Sequence, residues 1–388
     1  MQPDIDNEYW KSILLFLYTL CWIVQVIWLW AVLLILGLFA VYSVSVFESF
    51  WLTLDRVDAW IRDTPSNYFF FFEQLINIVV WIVAWLIVAL IPWRTIKKMH
   101  LVIFILTFGA VLLLFTPLAQ TYKWATAWLD LWFTNIQPWE FFKLWFVFFL
   151  WSRLLRKKHV MNETTWYIAF LLMTWLCYIV FLLIPDLWTI YVLAPVSLIM
   201  FWYAWGKKQQ IVLTIVMWIA AMFLAATQFN HIRVRLDYYL YPEKYEQSRD
   251  IGWQNKQALL AIGGWWWIGK WYGKWLQKFW YLPEAQSDFI FAALAEEIGV
   301  IGIGIMLALY LTLSWYVLKQ LPSLPSEEDR LYAVGFLSLI IMQAFINIGV
   351  NMWLLPLTWL TLPFFSHGGS ALLVNIIEIV LLRKITKK

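Results

Sequence analysis

The chain has 388 residues, of which 63% are hydrophobic and 13% are charged, and its formal net charge is +4. Because soluble domains carry about a quarter charged residues, this composition excludes an ordinary soluble domain and predicts a polytopic membrane protein. The first apolar run is too long for a cleavable signal, so we expect no secretory signal. Cys21 and Cys177 lie in separate apolar runs, which excludes a disulfide framework and a thiolate metal site.

Ten apolar segments are long enough to cross a bilayer. In chain order they fall at about 22–47, 74–92, 101–118, 137–152, 165–184, 187–205, 210–228, 288–317, 331–354 and 368–382. The pattern predicts an all-α integral membrane protein of about ten transmembrane helices, with one long extracytoplasmic loop at 229–287. We expect residues 1–388 to form a single membrane domain.

The distribution of Lys and Arg predicts the topology. With both termini in the cytoplasm, the inside segments hold 16 basic residues and the short outside loops hold 3, which are Arg56, Arg62 and Lys123. This asymmetry fits the positive-inside rule. The long loop 229–287 carries eight basic residues. Because long loops escape the rule, these charges leave the topology unchanged and indicate another role.

The stretch 281–299 reads YLPEAQSDFIFAALAEEIG. Ser287 is a suitable N-cap, and Asp288 in the first turn would complement the positive end of a helix that begins there. Glu284 adds a second carboxylate just ahead of the apolar run. We therefore expect two acidic groups at the outer mouth of a membrane-embedded protein, facing a strip of small side chains.

Basic residues precede this stretch. Lys270, Lys274 and Lys278 recur every four residues, and with Arg235 they offer cations for a phosphate near the bilayer surface. A basic loop that pairs with anionic lipid headgroups explains the spacing equally well. The proximity of Glu284 and Asp288 in the sequence favours a phosphorylated lipid substrate.

Two further groups of residues stand at predicted helix starts. Glu140 and Lys143 open the fourth segment, either as a simple i,i+3 ion pair or as interior functional charges. Asp186 precedes the sixth segment, where a helix cap is more usual than a catalytic role.

The outer loop at 355–370 contains two prolines and ends in a Gly-Gly-Ser sequence. We expect a re-entrant or tightly packed loop here, in which His367 is a packed or hydrogen-bonded residue and not a ligand.

Several stretches together resemble the SEDS family (shape, elongation, division, sporulation), which includes FtsW and RodA. They are IQPWEFFKL, PDLWT, RVRLDYYLYP, GWQNKQALLAIG, LPEAQSDFIFAALAEEIGVIG and INIGVNMWLLPLTWLTLPFFSHGGSALL. They occur in the order of the family and cover roughly residues 30–383. The sequences LPEA and LPLT favour the FtsW (division) branch over the RodA (elongation) branch.

The resemblance implies a peptidoglycan glycosyltransferase that polymerises lipid II on the outer face of the cytoplasmic membrane. It implies that Asp288 is the general base, while Glu284 orients the acceptor or binds a divalent cation such as Mg²⁺ or Mn²⁺. The residues expected to bind the substrate are Arg235, Lys270, Lys274, Glu140 and Lys143. The implied partners are membrane lipid, a class B penicillin-binding protein and other division proteins at the septum, and no nucleic acid is expected.

Two other classes of function remain open. A lipid II flippase would also need ten helices, a lipid-sized cavity and a few buried charges. A scaffold that only recruits a transpeptidase would need no acidic base. An assay with lipid II separates the three, because only the enzyme would lose glycan formation when Asp288 is changed to Asn.

Tryptophan is unusually common, with 31 residues against 15 glycines. Where the family has glycine, this chain has tryptophan at Trp124, Trp132, Trp188, Trp265, Trp266, Trp271, Trp353 and Trp359. Large side chains at tight turns cost about 1–3 kcal/mol each, against a total stability of about 5–15 kcal/mol. Our hypothesis is that the source reads UGA as Gly, so that these positions are glycine in the native protein. Other departures from the family are Thr126-Ala127, which replace an arginine pair, and His367, which replaces a tyrosine.

Overall fold

The computed structural model describes residues 5–58, 64–122, 125–130, 135–157, 163–184, 186–204, 206–245, 251–264, 267–271, 273, 282 and 284–386. Its helices are α1 (Ile5–Asp58), α2 (Phe69–Leu90), α3 (Trp93–Leu112), α4 (Pro138–Lys157), α5 (Glu163–Leu183), α6 (Leu187–Tyr203), α7 (Lys208–Gln228), α8 (Asn230–Leu240), α9 (Ile251–Gly263), α10 (Ile290–Gln320), α11 (Glu327–Asn351) and α12 (Gly369–Thr386). Short 3₁₀ turns lie at Leu113–Phe115, Pro242–Tyr245 and Leu321–Ser323.

Each of the ten predicted apolar segments overlaps one of these helices. By length and composition, seven helices of the described chain can cross a membrane: α1 from Ile27 onward, α2, α3, α5, α7, α10 and α11. Helix α6 is apolar but has 17 residues, and α4 and α12 each carry at least three charged residues. The all-α, multi-pass membrane fold is therefore confirmed, and the number of membrane crossings stays a prediction.

Helix α11 lies at the centre of the fold. In its most apolar stretch 78% of the residues are buried, and it packs against α4, α6, α10 and α12. The Phe148 ring of α4 lies 4.7 Å from that of Tyr332 and 5.1 Å from that of Phe336, measured between ring centroids. By contrast, only 6% of the apolar stretch of α2 is buried. Apolar side chains on such a helix are exposed to lipid rather than to water, which explains their number.

A small antiparallel sheet lies between α3 and α4. Its strands are β1 (Ala119–Tyr122), β2 (Ala125–Asp130) and β3 (Asn135–Ile136), in the order β1-β2-β3. A bulge interrupts the β1–β2 pairing between Gln120 and Thr121, and the Gln120 side chain donates a 2.7 Å hydrogen bond to Asp130. The sequence analysis predicted no strands here, because segments of two to six residues have too short a pattern to stand out.

Helix α10 is broken at Gly299, where φ is 65° and ψ is −167°. The break frees two carbonyl oxygens: Glu296 O accepts from Lys270 N at 2.9 Å, and Glu297 O accepts from Trp271 N at 3.1 Å. A glycine allows this backbone conformation without steric cost. The apolar segment predicted at 288–317 thus contains a break that its pattern did not indicate, and donors from the loop at 229–287 compensate for it.

Candidate active site

Asp288 belongs to a turn that precedes α10, and not to the first turn of the helix. The amide nitrogens of Ser287 and Asp288 both donate to Glu284 O at 3.1 Å, and Glu284 itself has a left-handed φ of 54°. The Ser287 hydroxyl donates back to Glu284 O and to its carboxylate. The prediction that Ser287 is the N-cap is wrong, because Phe289 occupies that position and α10 begins at Ile290.

Two buried amides on α11 fix the main chain of Asp288. Asn347 and Asn351 donate to Asp288 O at 2.9 and 3.0 Å, and the Asn351 side chain accepts from Ala292 N at 3.2 Å. Both asparagine side chains are almost fully buried, whereas Asp288 is half-buried. The position of this residue is therefore set through its backbone, which leaves the carboxylate outside these hydrogen bonds.

The same face of α11 also holds the loop before α12. Asn347 donates to Leu360 O at 2.5 Å, and Gln343 donates to Thr361 O at 3.1 Å. Ser366 donates to Ser287 O, so the loop and the Asp288 turn are also joined directly. The loop buries several apolar side chains, among them Leu360, Leu362, Phe364 and Phe365. The prediction of a tightly packed loop is therefore confirmed.

His367 lies at the end of this loop. Its main-chain nitrogen donates to Gln286 O at 2.8 Å, its ring packs edge-on against Phe70, and its Nε2 lies 3.5 Å from the Glu73 carboxylate. His367 is thus a packed residue with a polar neighbour, as its sequence context predicted.

A buried ion pair contacts the side chain of Gln343 on α11. Lys143 Nζ is 2.9 Å from Glu140 Oε2 and donates to Gln343 Oε1 at 2.8 Å. All three side chains are nearly inaccessible. Of the two interpretations from the sequence, the i,i+3 pair is present, and its contact with α11 links it to the loop. The role of Glu140 and Lys143 in substrate binding stays a prediction.

Gln343, Asn347 and Asn351 are the functional residues that sequence reasoning missed. They recur every four residues on α11, which places them on one face of the helix, roughly 6 Å apart along its axis. We call them the α11 amide row. Glu378 in α12 was missed as well, although it interrupts an apolar run and is 3% exposed. The spacing of the amides was visible in the sequence, and their partners were not.

Arg235 in α8 contacts two neighbouring aromatic rings. Its guanidinium carbon lies 3.9 Å from the Trp188 ring centroid and 4.8 Å from that of Trp359. Burial lowers the pKa of Arg235 to about 10, and the nearby Tyr191 and Asp186 act in the opposite direction. Since Trp359 adjoins Leu360, this cation belongs to the same neighbourhood as the α11 amide row.

Asp186 caps α6, as its position in the sequence predicted. Its carboxylate accepts from Trp188 N at 3.2 Å and from the Thr189 hydroxyl at 2.8 Å. Burial raises the pKa of Asp186 to about 6, although the Thr189 hydrogen bonds and the charge of Lys143 lower it. Asp186 thus lies between Lys143 and Arg235 and acts electrostatically on both.

Lys270 lies apart from this cluster, beside the break in α10. Its ammonium is 2.6 Å from Glu296 Oε1, and the carboxylate of Glu297 accepts from Ser43 and Gly273 N. The sequence analysis did not consider this ion pair, because residues 26 positions apart in sequence showed no common pattern. The role of Lys270 in phosphate binding stays a prediction. Lys274 lies outside the described residues.

No group of three or more His, Cys, Asp or Glu side chains within the described residues could hold a metal ion. Glu284 and Asp288 are the carboxylates that the sequence offered for this purpose. The divalent cation stays a prediction.

An apolar cavity of about 430 Å³ opens beside Arg235. It is bounded by α5, α6, α7 and α8 and by Pro356 and Leu357 of the loop. Its wall is almost entirely hydrocarbon, and the Arg235 guanidinium is the charged group that lines it. This arrangement suits a molecule with a long apolar part and an anionic end.

Comparison with known proteins gives the family. Residues 24–388 match the profile of the FtsW, RodA and SpoVE proteins, described as a cell cycle protein family. The chain belongs to this family. The match covers all the site residues described above, so the resemblance seen in the sequence is confirmed.

Relatives of known name span nearly the whole chain. The stage V sporulation protein E of Bacillus subtilis is 30% identical over 92% of this chain and 94% of its own length. A protein of Thioalkalivibrio sulfidiphilus named probable peptidoglycan glycosyltransferase FtsW is 32% identical over 72% of this chain and 71% of its own length.

Solved structures show the same fold. A chain from a peptidoglycan synthase complex that coordinates polymerization and crosslinking aligns with a TM-score of 0.75 at 20% identity, over 94% of this chain and 97% of its own. The rod shape determining protein RodA of Thermus thermophilus aligns with a TM-score of 0.66 at 20% identity, over 94% of this chain and 97% of its own.

Proposed function

We propose that this family member is a peptidoglycan glycosyltransferase that polymerises lipid II, with Asp288 as the general base. The names of several FtsW relatives support the activity. The observation that carries the residue assignment is the α11 amide row, which holds the Asp288 main chain at one end and Lys143 at the other. The row ties the proposed base to a buried cation through one rigid helix face.

The proposed reaction is a single displacement. The Asp288 carboxylate takes the proton from the 4-hydroxyl of the acceptor sugar as the oxygen attacks the anomeric carbon of the donor. The bond to the lipid diphosphate breaks, and the anomeric centre inverts. Arg235 is our proposed cation for the departing diphosphate, because its guanidinium contacts aromatic rings and no carboxylate lies within salt-bridge distance among the described residues. Glu284 orients the acceptor.

The apolar cavity beside Arg235 is our proposed site for the lipid chain of one substrate. Its hydrocarbon wall matches a polyprenyl tail, and Arg235 lies where the diphosphate joins that tail. Glu140 and Lys143 act from within the protein, by fixing Gln343 and thereby the loop at 355–370. In this proposal they are positioning residues rather than direct ligands.

Purified protein in proteoliposomes with lipid II tests the proposal. We expect Asp288→Asn to lower glycan formation by about 10²–10⁴-fold, which is the usual contribution of a general base. Asp130→Asn is the matched control, because Asp130 is an exposed carboxylate of the small sheet that accepts a hydrogen bond from Gln120. Full activity of Asp288→Asn would refute the role of Asp288 and favour the scaffold.

The same liposomes separate the enzyme from the flippase. Fluorescent lipid II that moves between leaflets without forming polymer, in wild-type protein, would favour a transporter. Polymer formation that depends on Asp288 would favour the enzyme, whether or not lipid II also moves.

We also propose that the chain works with a class B penicillin-binding protein at the division septum, with both termini in the cytoplasm. The polymerising and crosslinking complex from which one structural neighbour comes supports such a partner. The alternative is a RodA-type role in elongation. Co-purification with the division or the elongation transpeptidase of the source organism distinguishes the two, and protease protection of tags at both termini tests the topology.

A further inference from the structure

A second cavity, of about 700 Å³, lies at the opposite end of the molecule from Asp288. The turn between α2 and α3 forms one wall, and the last turns of α12 form the other. Its walls include Trp85, Leu86, Trp93 and Val380, together with two cations, Arg383 and Lys384. Among the described residues that line it none is acidic, so this lining carries positive charge.

Arg383 has hydrogen-bonding capacity to spare. Its guanidinium carbon lies 5.7 Å from the Trp85 ring centroid, and its Nε is buried with no hydrogen-bond partner among the described residues. A buried donor without an acceptor costs about 1–3 kcal/mol. A small shift of the side chain toward an anionic ligand in the cavity would satisfy this donor and remove that cost.

Lys384 supplies a second charge and shapes the cavity. Its ammonium donates to Ala89 O at 2.9 Å and to Ile91 O, the last carbonyls of α2. These contacts hold the side chain across the α2–α3 turn, at the wall of the cavity. The nearest carboxylate behind this wall, Asp329, bonds to Trp93 and Lys97. It is therefore already paired.

The surroundings define the kind of ligand. Leu86 and Leu90 on the same end of α2 are 49% and 83% exposed, which is typical of side chains that face acyl chains. Cations beside tryptophan at the end of a transmembrane helix mark the level of the lipid headgroups. Basic pockets between helices at this level bind anionic headgroups.

We propose that this cavity binds the phosphate of an anionic phospholipid in the leaflet that borders this end, which the charge distribution predicts to be cytoplasmic. Arg383 donates to the phosphate oxygens, Lys384 adds charge, and Trp85, Leu86 and Val380 contact the upper acyl chain. A free phosphate ion would gain the charge contacts but not the apolar ones. The inference does not depend on the enzymatic activity.

The test measures phosphatidylglycerol retained by the full chain in native mass spectrometry, after exchange into nanodiscs of phosphatidylcholine with graded phosphatidylglycerol. We expect Arg383→Gln to weaken retention about tenfold, which corresponds to the loss of one charged hydrogen bond. Arg94→Gln is the matched control, because Arg94 is an exposed cation one residue from Trp93 that does not line the cavity. We expect its retention to equal that of wild type.

Three results would overturn the proposal. They are equal retention of phosphatidylcholine by wild-type protein, equal loss in the Arg94 and Arg383 variants, and displacement of the lipid by millimolar inorganic phosphate. A photoactivatable phosphatidylglycerol analogue on wild-type protein gives a second measurement that needs no variant. Crosslinks in the α2–α3 turn and the end of α12 would support the site, and their absence there would refute it.

Discussion

Trp271 adopts a backbone conformation that suits glycine, so replacing it with glycine should stabilise the protein. Its φ is 73°, in the left-handed region that costs an ordinary L-residue about 1–2 kcal/mol. Its side chain is 67% exposed, so truncation removes little packing. Its amide hydrogen bond to Glu297 O belongs to the main chain and survives the substitution.

The expected change in the free energy of unfolding is the sum of two opposing contributions. Glycine relieves about 1–2 kcal/mol of backbone strain, and it loses about 0.5–1 kcal/mol through the greater freedom of the unfolded chain. Trp267 provides the matched control, because it lies in the same loop, is 73% exposed, and is not among the non-glycine residues with positive φ. Trp267→Gly has only the unfavourable contribution, so the two variants should differ by about 1–2 kcal/mol.

Denaturant unfolding in detergent micelles measures this difference as a shift in the transition midpoint at constant slope. We expect Trp271→Gly to be at least as stable as wild type and Trp267→Gly to be less stable. If Trp271→Gly were the less stable of the two, the strain argument would be refuted, since exposure and loop context are matched.

The outcome bears on the hypothesis that UGA is read as Gly. Of the eight tryptophans at family glycine positions, the described ones are Trp188, Trp271, Trp353 and Trp359, and two of these four have positive φ. The rings of the other two both contact the Arg235 guanidinium. Glycine at 188 and 359 would leave that guanidinium uncovered for a diphosphate. Mass spectrometry of the native protein tests the hypothesis, and tryptophan at these positions would end it.

Three further predictions concern the core and the site. Gly37→Ala should lower the free energy of unfolding by about 1–3 kcal/mol, because a Cβ at Gly37 would lie 2.0 Å from Phe364 O. Gly109→Ala is the control and should be neutral or stabilising in the same unfolding assay, because a Cβ there would meet nothing within 4 Å. Equal effects of the two substitutions would contradict the packing argument. Lys143→Met should lower the free energy of unfolding by about 3–5 kcal/mol, because it leaves the Glu140 carboxylate buried and unpaired. Adding Glu140→Leu should recover part of that loss in a double-mutant cycle. Purely additive effects in the double variant would show that the two residues are not coupled. The pKa of Asp186 is raised to about 6 from its ordinary 3.8. Between about pH 4 and 6 the folded state therefore holds more protons than the unfolded state. The contribution of Asp186 to stability should fall as the pH rises through this window. Asp186→Asn keeps the capping oxygen and should lose that slope in melting curves measured from pH 4 to 7, whereas an unchanged slope would place the titration elsewhere.

The sequence was sufficient for the membrane class and for the location of the helices, because long apolar runs have few alternatives to a helix in a bilayer. It was not sufficient for the ends and breaks of helices. The start of α10 at Ile290 depends on the turn closed by Glu284 O. The break at Gly299 depends on donors from Lys270 and Trp271. Such compensation comes from residues distant in sequence, which local patterns do not reveal.

The residues of the site could be predicted in part, but the contacts among them could not. Asp288, Glu284, Glu140, Lys143 and Arg235 could be nominated, because charged residues in or beside membrane segments are rare. How they are connected could not be predicted. The side chain of Gln343 binds Lys143 with its oxygen and Thr361 with its nitrogen, and nothing in the sequence distinguishes this amide from a solvent-facing one. Likewise, the partner of Lys270 is a glutamate 26 residues away.

The close approach of α1 to the loop before α12 has a mechanical consequence. At Gly37 the first helix touches the carbonyl of Phe364 without an intervening side chain, while on the other side the Tyr310 hydroxyl donates to the carbonyl of Pro363. The loop thus contacts α1 through Phe364 and α10 through Pro363. A protein that docked on the exposed face of α1 and tilted this helix would push on the Phe364 segment, and the displacement would pass through Ser366 to the turn that carries Asp288.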